Sequence, residues 1–235
     1  AHADFSDDFP SAINQAAPLP ISLDGGLTAR LDLAAPDAAR ELGQRLRYAA
    51  RTGRVRVLHD LLASGAAIDA RGEYGETALQ AAARWGHLKA AQYLLTQGAN
   101  PNLADDAGQT ALIMAAKDCA HRSIRALIVS GAKVDVVNQF GKSAIFFPAE
   151  SGCVNAVAAL VETAPDINLS LLDDSGRTAL DYALDAAQSE VGGPFIEIAR
   201  LLLNLGARFT TWYPANEFNL GPQPKGDLGP RDQRL

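Results

Sequence analysis

Cysteine and histidine are scarce in this chain. It has two cysteines, Cys119 and Cys153, too few for a framework but enough for one bridge. None of its four histidines has a second His, Cys or carboxylate at metal-ligand spacing. The histidines are His2, His59, His87 and His121. We therefore expect neither a metal ion nor another cofactor.

The chain also lacks an excess of basic charge, a long apolar run and the short motifs of common enzymes. Its formal net charge is −6 over 235 residues, whereas a nucleic-acid-binding protein usually carries a basic face. No apolar run reaches the length of a membrane span. Neither a nucleophile elbow nor a phosphate-binding glycine loop is present. These absences exclude, as expectations, nucleic-acid binding, membrane insertion and catalysis.

What the sequence does contain is an internal repeat. Four similar tripeptides begin at Thr77, Thr110, Ser143 and Thr178, spaced by 33, 33 and 35 residues. A glycine stands two residues before each of them, and Gly-Ala pairs at Gly65, Gly98 and Gly131 keep the same step of 33. Two separate markers that stay in register predict a repeat architecture.

Each repeat has the signals of two short helices. The Thr or Ser is a favourable helix N-cap, and the small apolar residues after it, such as Leu79 and Ala82, share one helical face. Gly86 predicts a turn, and the residues from Leu88 to Leu95 have the spacing of a second amphipathic helix. Gly98 supplies the left-handed conformation that ends that helix.

These residues resemble the ankyrin repeat, whose motif runs G-x-T-P-L-H-x-A-A, then G-H, then L-L-x-x-G-A. The best match runs from Gly75 to His87 and continues from Leu94 to Ala99. The resemblance implies an all-α solenoid of about five helix-turn-helix repeats with short finger loops. The predicted repeat domain covers 39–209, divided into 39–71, 72–104, 105–137, 138–172 and 173–209.

The chain departs from the family motif at several places. The family's His is replaced by Gln80, Ile113, Phe146 and Asp181, so the hydrogen bonds between fingers must be arranged differently. Pro148 falls inside a first helix and predicts a distorted repeat. About seven extra residues between Asp185 and Ile196 predict a longer, exposed turn. The acidic pairs Asp105–Asp106 and Asp173–Asp174 fall at finger tips, where Asp favours turns.

The two cysteines lie in neighbouring repeats. Cys119 occupies the position of the turn glycine, and Cys153 comes one position later in the next repeat. Equivalent positions of stacked helices are about 10 Å apart, which is longer than a disulfide spans. The spacing therefore disfavours a bridge, although the offset in a distorted repeat leaves it open.

Proline-rich segments flank the predicted repeats, over 1–38 and 210–235. The first interleaves Phe5 and Phe9 with aspartates, and the second contains Trp212, Tyr213 and Phe218. Such extended tails are expected to cap the ends of the stack. The alternative is that one tail lies along the groove or clasps a partner.

The resemblance implies that a protein partner binds the concave side, formed by the fingers and the first helices. The motif positions exposed there are predicted to bind the partner, and Tyr74, Trp85 and Phe140 are distinctive because the fold requires no aromatic at their positions. Packing against the N-terminal tail is the alternative for these three. The predicted set is Glu73, Tyr74, Glu76, Arg84, Trp85, Asp106, Gln109, Lys117, Gln139, Phe140, Lys142, Asp174 and Arg177.

The sequence thus predicts a non-catalytic binding module, a monomer when alone, with a structural scaffold or the regulatory part of an enzyme as alternatives. Sixteen Arg against five Lys, with abundant Ala, favour a bacterial source. Ala1-His2-Ala3 fits the end of a secretory signal peptide and favours a periplasmic or otherwise exported protein over a cytoplasmic one, although a designed truncation explains the same residues. An immunity or inhibitor protein for a toxin, or an accessory of an envelope enzyme, fits these features.

Overall fold

The computed structural model describes residues 36–189 and 193–210. Within those ranges the chain forms ten α-helices, a 3-10 turn at Glu73–Gly75, an isolated bridge between Ala104 and Thr110, and no strand. The helices are α1 (Pro36–Arg51), α2 (Val55–Ala63), α3 (Ala78–Arg84), α4 (Leu88–Thr96), α5 (Ala111–Lys117), α6 (His121–Val129), α7 (Phe146–Glu150), α8 (Val154–Thr163), α9 (Ala179–Ser189) and α10 (Pro194–Asn204).

The helices pack in two rows. The first helices α1, α3, α5, α7 and α9 each contact the next in that order, and the second helices α2, α4, α6, α8 and α10 do the same. Each first helix also packs against the second helix that follows it. The predicted all-α repeat solenoid is therefore confirmed.

Small residues on the first helices allow this close stacking. Six consecutive residues are buried in α3, from Ala78 to Ala83, and six in α5, from Ala111 to Ala116. The second helices supply larger side chains at positions 33 residues apart, namely Leu94, Leu127 and Leu160, all fully buried. One repeat cannot bury its apolar face alone, so the core runs continuously through the stack.

The predicted caps form in three repeats and fail in one. Thr77, Thr110 and Thr178 each accept a hydrogen bond from the backbone N–H three residues on, at 3.3 Å. Ser143 does not: among the described residues its buried hydroxyl has no hydrogen-bond partner. The helix after it, α7, has five residues, begins at Phe146 and contains Pro148. The predicted distortion is confirmed, and the capping role predicted for Ser143 is wrong.

The two ends of the described chain differ from the predicted boundaries. The first helix begins at Pro36, ahead of the predicted start at residue 39, and is sixteen residues long. Helix α9 has eleven residues against seven in α5, so part of the insertion lengthens a helix. The prediction of a longer, exposed turn did not include this extension of α9, and residues 190–192 of the turn lie outside the described residues. The segments 1–35 and 211–235, with most of both predicted tails, lie outside the described residues.

None of the described helices combines the length and the apolar character needed to cross a membrane.

Candidate functional site

The finger loops are joined to one another by a ladder of backbone hydrogen bonds. The N–H of Asp106 donates to the carbonyl of Tyr74 at 2.9 Å. The same bond recurs one repeat on between Gln139 and Ala107, and again between Asp174 and Phe140, both at 3.1 Å. The ladder holds the finger tips at regular intervals along one side of the stack. We call the finger tips, together with the exposed residues at the C-terminal ends of the first helices, the finger face; Arg84 and Lys117 at those ends contact Glu76 and Gln109 of the fingers.

Three of the fingers are closed by a side chain that accepts two backbone hydrogen bonds. In one of them the Oδ1 atom of Asp105 accepts from the N–H groups of Ala107 and Gln109, at 3.0 and 2.8 Å. Asn138 and Asp173 do the same in the next two fingers. Asp105 and Asp173 are thus turn residues, as predicted for the acidic pairs.

Two replacements of the family's histidine connect neighbouring loops. The Nε2 atom of Gln80 donates to the carbonyls of Leu103 and Gln109, at 3.1 and 2.7 Å. Buried Asp181 accepts from the backbone and hydroxyl of Thr210 and from Thr178. Burial raises the pKa of Asp181, but the hydrogen bonds from Thr178 and Thr210 outweigh burial and bring that pKa below its ordinary value.

The structure places the predicted partner-binding residues on the finger face with different exposure. Exposed ones are Glu73, Tyr74, Arg84, Trp85, Asp106, Lys117, Gln139, Phe140 and Asp174. Partly buried ones are Glu76, Gln109, Lys142 and Arg177. Several of the charged side chains contact each other, as in the pair of Arg84 with Glu76 at 3.7 Å.

The three aromatic residues singled out in the sequence are exposed in the described part of the chain. The exposed fractions of Tyr74, Trp85 and Phe140 are 73%, 54% and 57%. Tyr74 also has a left-handed backbone, with φ of 59°. In a residue other than glycine that conformation is strained, and strain of this kind often accompanies a binding role.

Cations lie over aromatic rings along the finger face, a feature that the sequence analysis did not identify. Arg51 lies 5.2 Å from the centre of the Trp85 ring. Lys117 lies 5.3 Å from the Phe147 ring. Each pair joins two neighbouring repeats. Their separations along the chain, 34 and 30 residues, differ from each other and from the 33-residue step, so the repeat spacing does not predict them.

At the last two repeats the finger face is a paired polar network around Tyr182. The Tyr182 hydroxyl donates to Asp173 at 2.6 Å, and Lys142 lies 4.0 Å from the ring and 3.1 Å from Glu150. Burial lowers the pKa of Lys142, but Glu150 and Tyr182 raise it above its ordinary value overall. Arg177 pairs with Asp185 and lies 4.2 Å from the same ring. Lys142 and Arg177, both predicted to bind a partner, therefore already have charged partners within the protein.

The structure links Cys119 to Cys153 by a disulfide, with the two Cα atoms 5.9 Å apart. The prediction that the spacing disfavours a bridge is therefore wrong. The separation of about 10 Å is the distance between the axes of stacked helices, whereas these two residues lie in turns that approach more closely. Cys119 has the left-handed backbone of the glycine it replaces, with φ of 53°. His87, which corresponds in its repeat to Cys153, also contacts the preceding repeat, through the carbonyl of Arg51 at 2.9 Å.

Metal-binding side chains do not converge on the part of this face that the structure describes. Within residues 36–189 and 193–210, no three His, Cys, Asp or Glu side chains are placed to hold a metal ion. The finger face instead presents separated aromatic and charged side chains on a rigid backbone ladder.

Comparison with known families agrees with this architecture. The family model described as ankyrin repeats (3 copies) matches residues 46–134 and 114–211. No curated protein matches the chain. The motif spacing, the two rows of helices and the family match lead to one conclusion: the chain belongs to the ankyrin-repeat family.

Proposed function

We propose that this protein is a non-catalytic module that binds a protein partner on its finger face, with Tyr74, Trp85 and Phe140 as the anchors. Ankyrin repeats generally mediate protein–protein interaction and are typically not catalytic. The proposal is narrower, because it assigns the binding to one face and to three named side chains.

The exposure of the three aromatics is the observation that carries the proposal. Large aromatic side chains that remain exposed on a folded surface are typical anchors of protein interfaces. The backbone ladder fixes the fingers that carry Tyr74 and Phe140, so binding would order little additional chain. The charged residues around them, such as Glu73 and Arg84, would form the polar rim.

We further propose that the protein works in an oxidising compartment, the bacterial periplasm or outside the cell. The disulfide between Cys119 and Cys153 supports this location, since such bonds persist mainly outside the reducing cytosol. A partner in that setting would be a secreted toxin that the protein inhibits, or an enzyme of the envelope that it assists. The high Arg and Ala content supports a bacterial source.

The test is capture and affinity measurement with variants of the finger face. The chain carrying Trp85→Ala and Phe140→Ala should lose at least tenfold in affinity for the partner that wild type captures from a periplasmic extract, because each anchor is worth 1 kcal/mol or more, roughly. Isothermal titration with the purified partner measures the change. The melting temperature should fall by no more than a few degrees, since both side chains are largely exposed.

Val129→Ala is the matched control. Val129 is an apolar residue on α6, in the second-helix row, with an exposed fraction of 80%, so its removal should leave the affinity unchanged. If the finger-face variant binds as tightly as wild type, or Val129→Ala binds as weakly as the finger-face variant, the assignment of this face is wrong.

A further inference from the structure

The first repeat concentrates positive charge in an acidic protein. Residues 40–56 contain six arginines and one acidic residue, Glu41, in a chain with a net charge of −6. Glu41 pairs with Arg45 at 2.5 Å. Within the described residues none of the other five forms an ion pair with a carboxylate. We call these five the arginine pole: Arg40, Arg47, Arg51, Arg54 and Arg56.

Helix α1 places three members of the arginine pole in one stripe. At 3.6 residues per turn, Arg40, Arg47 and Arg51 share a helical face. The opposite face, with Leu42 and Leu46, is buried against the following helices. The stripe therefore lies along the outside of the first repeat and not within the core.

The stripe adjoins the finger face. Arg47 donates to the carbonyl of Ala70 at 3.3 Å, at the base of the first finger. Arg51 lies 5.2 Å from the ring of Trp85. Burial lowers the pKa of Arg47, an effect that the charge of Glu76 opposes. Within the described residues Arg47 forms no ion pair with a carboxylate, and a partly desolvated guanidinium without such a pair would gain from an added anion.

We propose that residues 4–9 of this chain bind the arginine pole and cover Trp85. That segment has the complementary chemistry, because Asp4, Asp7 and Asp8 alternate with Phe5 and Phe9, and no Lys or Arg precedes Arg30. Carboxylates form charge-assisted hydrogen bonds with guanidinium groups. Phenyl rings pack edge to face or offset against an indole such as that of Trp85.

The connection to α1 permits this contact. Residues 10–35 lead directly into α1, and a chain of that length reaches up to about 85 Å when extended. Helix α1 is only about 24 Å long, so the segment reaches Trp85 from the start of the helix. A tether also gives the segment a high effective concentration, on the order of millimolar, at which modest contacts suffice.

The consequence would be regulation of the finger face, and this part rests on the proposed function. A protein partner that uses Trp85 would have to displace residues 4–9, so the segment would act as an internal competitor. A partner without sufficient affinity would be rejected.

Paramagnetic NMR on the full chain tests the contact without any partner. A nitroxide is attached through Ser6→Cys under non-reducing conditions, which leave the bridge between Cys119 and Cys153 intact. The indole N–H signal of Trp85 should broaden severalfold in low salt. The broadening should fall at 0.5 M salt, since exposed charges are then screened within a few ångströms.

Variants on both sides of the contact make the result specific. Asp4→Asn, Asp7→Asn and Asp8→Asn together should abolish the broadening, as should Arg40→Gln with Arg51→Gln. The matched control, Lys89→Gln with Arg122→Gln on exposed positions of the second-helix row, should leave the broadening unchanged.

Three outcomes would overturn the proposal. Trp85 could show no broadening, the broadening could survive loss of the three aspartates, or it could lie on the second-helix row. A mixture of isotope-labelled chain without nitroxide and unlabelled chain with nitroxide distinguishes a second copy: broadening of Trp85 in that mixture would contradict binding within one chain. Failure here leaves the partner proposal standing, because no partner enters the experiment.

Discussion

At the scale of single residues, one motif position shows how the same structural need is met by different chemistry. Where the family has His, Gln80 donates two hydrogen bonds to the next loop, whereas Asp181 accepts bonds from Thr178 and Thr210. Phe146 at the same position is fully buried and meets Tyr182 edge to face at 6.1 Å. At these three positions an amide, a carboxylate and a ring each contact the part of the chain that follows the repeat.

Asp181→Asn tests the contribution of the buried carboxylate. We expect the free energy of unfolding at pH 7 to fall by about 2 kcal/mol, because the neutral amide oxygen of Asn accepts weaker hydrogen bonds than the charged carboxylate of Asp181. The folded-state pKa of Asp181 is lowered, so its stabilisation is complete above the unfolded-state pKa of about 4. It is lost as the pH falls through the folded-state value.

Urea unfolding at pH 7, 5 and 3 measures this effect. The difference between wild type and Asp181→Asn should be the same at pH 7 and 5 and should shrink at pH 3. Asp166→Asn, on an exposed loop, is the control and should change little at any pH. An Asp181→Asn difference that does not depend on pH would contradict the role assigned to the charge.

At the scale of helices and turns, the repeated markers made the fold predictable from the sequence. Gly and Thr recur at fixed spacing because each repeat needs the same turn and the same cap. Structural features that occur in only one repeat have no recurring marker in the sequence. Ser143 matches the capping pattern, and Pro148 predicts that its repeat is distorted but not that α7 begins three residues after Ser143. The pairing of Cys119 with Cys153 depends on how closely two turns approach, which helix spacing does not give.

The candidate site was predictable to a smaller extent. The exposed aromatics at Tyr74 and Trp85 were identified because the motif leaves those positions free. Arg51 was missed because it belongs to the degenerate first repeat, where the motif gives no alignment to its neighbour. The internal pairing of Lys142 and Arg177 with carboxylates was missed for a similar reason, since it depends on side-chain directions that a motif does not contain.

The left-handed turn at Cys119 provides a test at this scale. Replacing both cysteines removes the cross-link, which costs up to about 4 kcal/mol through the entropy of the unfolded chain. The replacement at Cys119 then matters. Gly adopts a positive φ without strain, so Cys119→Gly with Cys153→Ala should be more stable than Cys119→Ala with Cys153→Ala by about 1 kcal/mol.

Equilibrium urea unfolding without reductant measures both differences. Wild type treated with reductant is the control for loss of the cross-link alone and should resemble the alanine pair. Equal stability of the glycine and alanine pairs would mean that the turn relaxes to an unstrained backbone once the bridge is gone. If a disulfide-free variant were as stable as oxidised wild type, the disulfide would not contribute to the free energy of unfolding.

At the scale of the whole molecule, the distribution of charge differs between the two ends of the stack. The first repeat carries the arginine pole, whereas the network around Tyr182 pairs its charges internally. Exposed aromatics lie between these ends, at Tyr74, Trp85 and Phe140. A partner bound along the finger face would therefore meet a basic end, an aromatic middle and a charge-paired end, which fixes its direction along the stack.

The linear stack also predicts which helices a destabilising substitution affects. Leu112 on α5 and Leu202 on α10 are both fully buried, and Leu→Ala at either costs roughly 3 kcal/mol. Repeats stabilise only their neighbours, so Leu202→Ala should accelerate amide exchange roughly 100-fold in α9 and α10 and leave α3 and α4 unchanged. Leu112→Ala removes support on both sides and should accelerate exchange from α3 to α8. Hydrogen exchange followed by NMR resolves each helix, with wild type as the reference. If both variants accelerated amide exchange equally in all helices, the chain would unfold as one cooperative unit. Its stability could then not be described as a sum over neighbouring repeats.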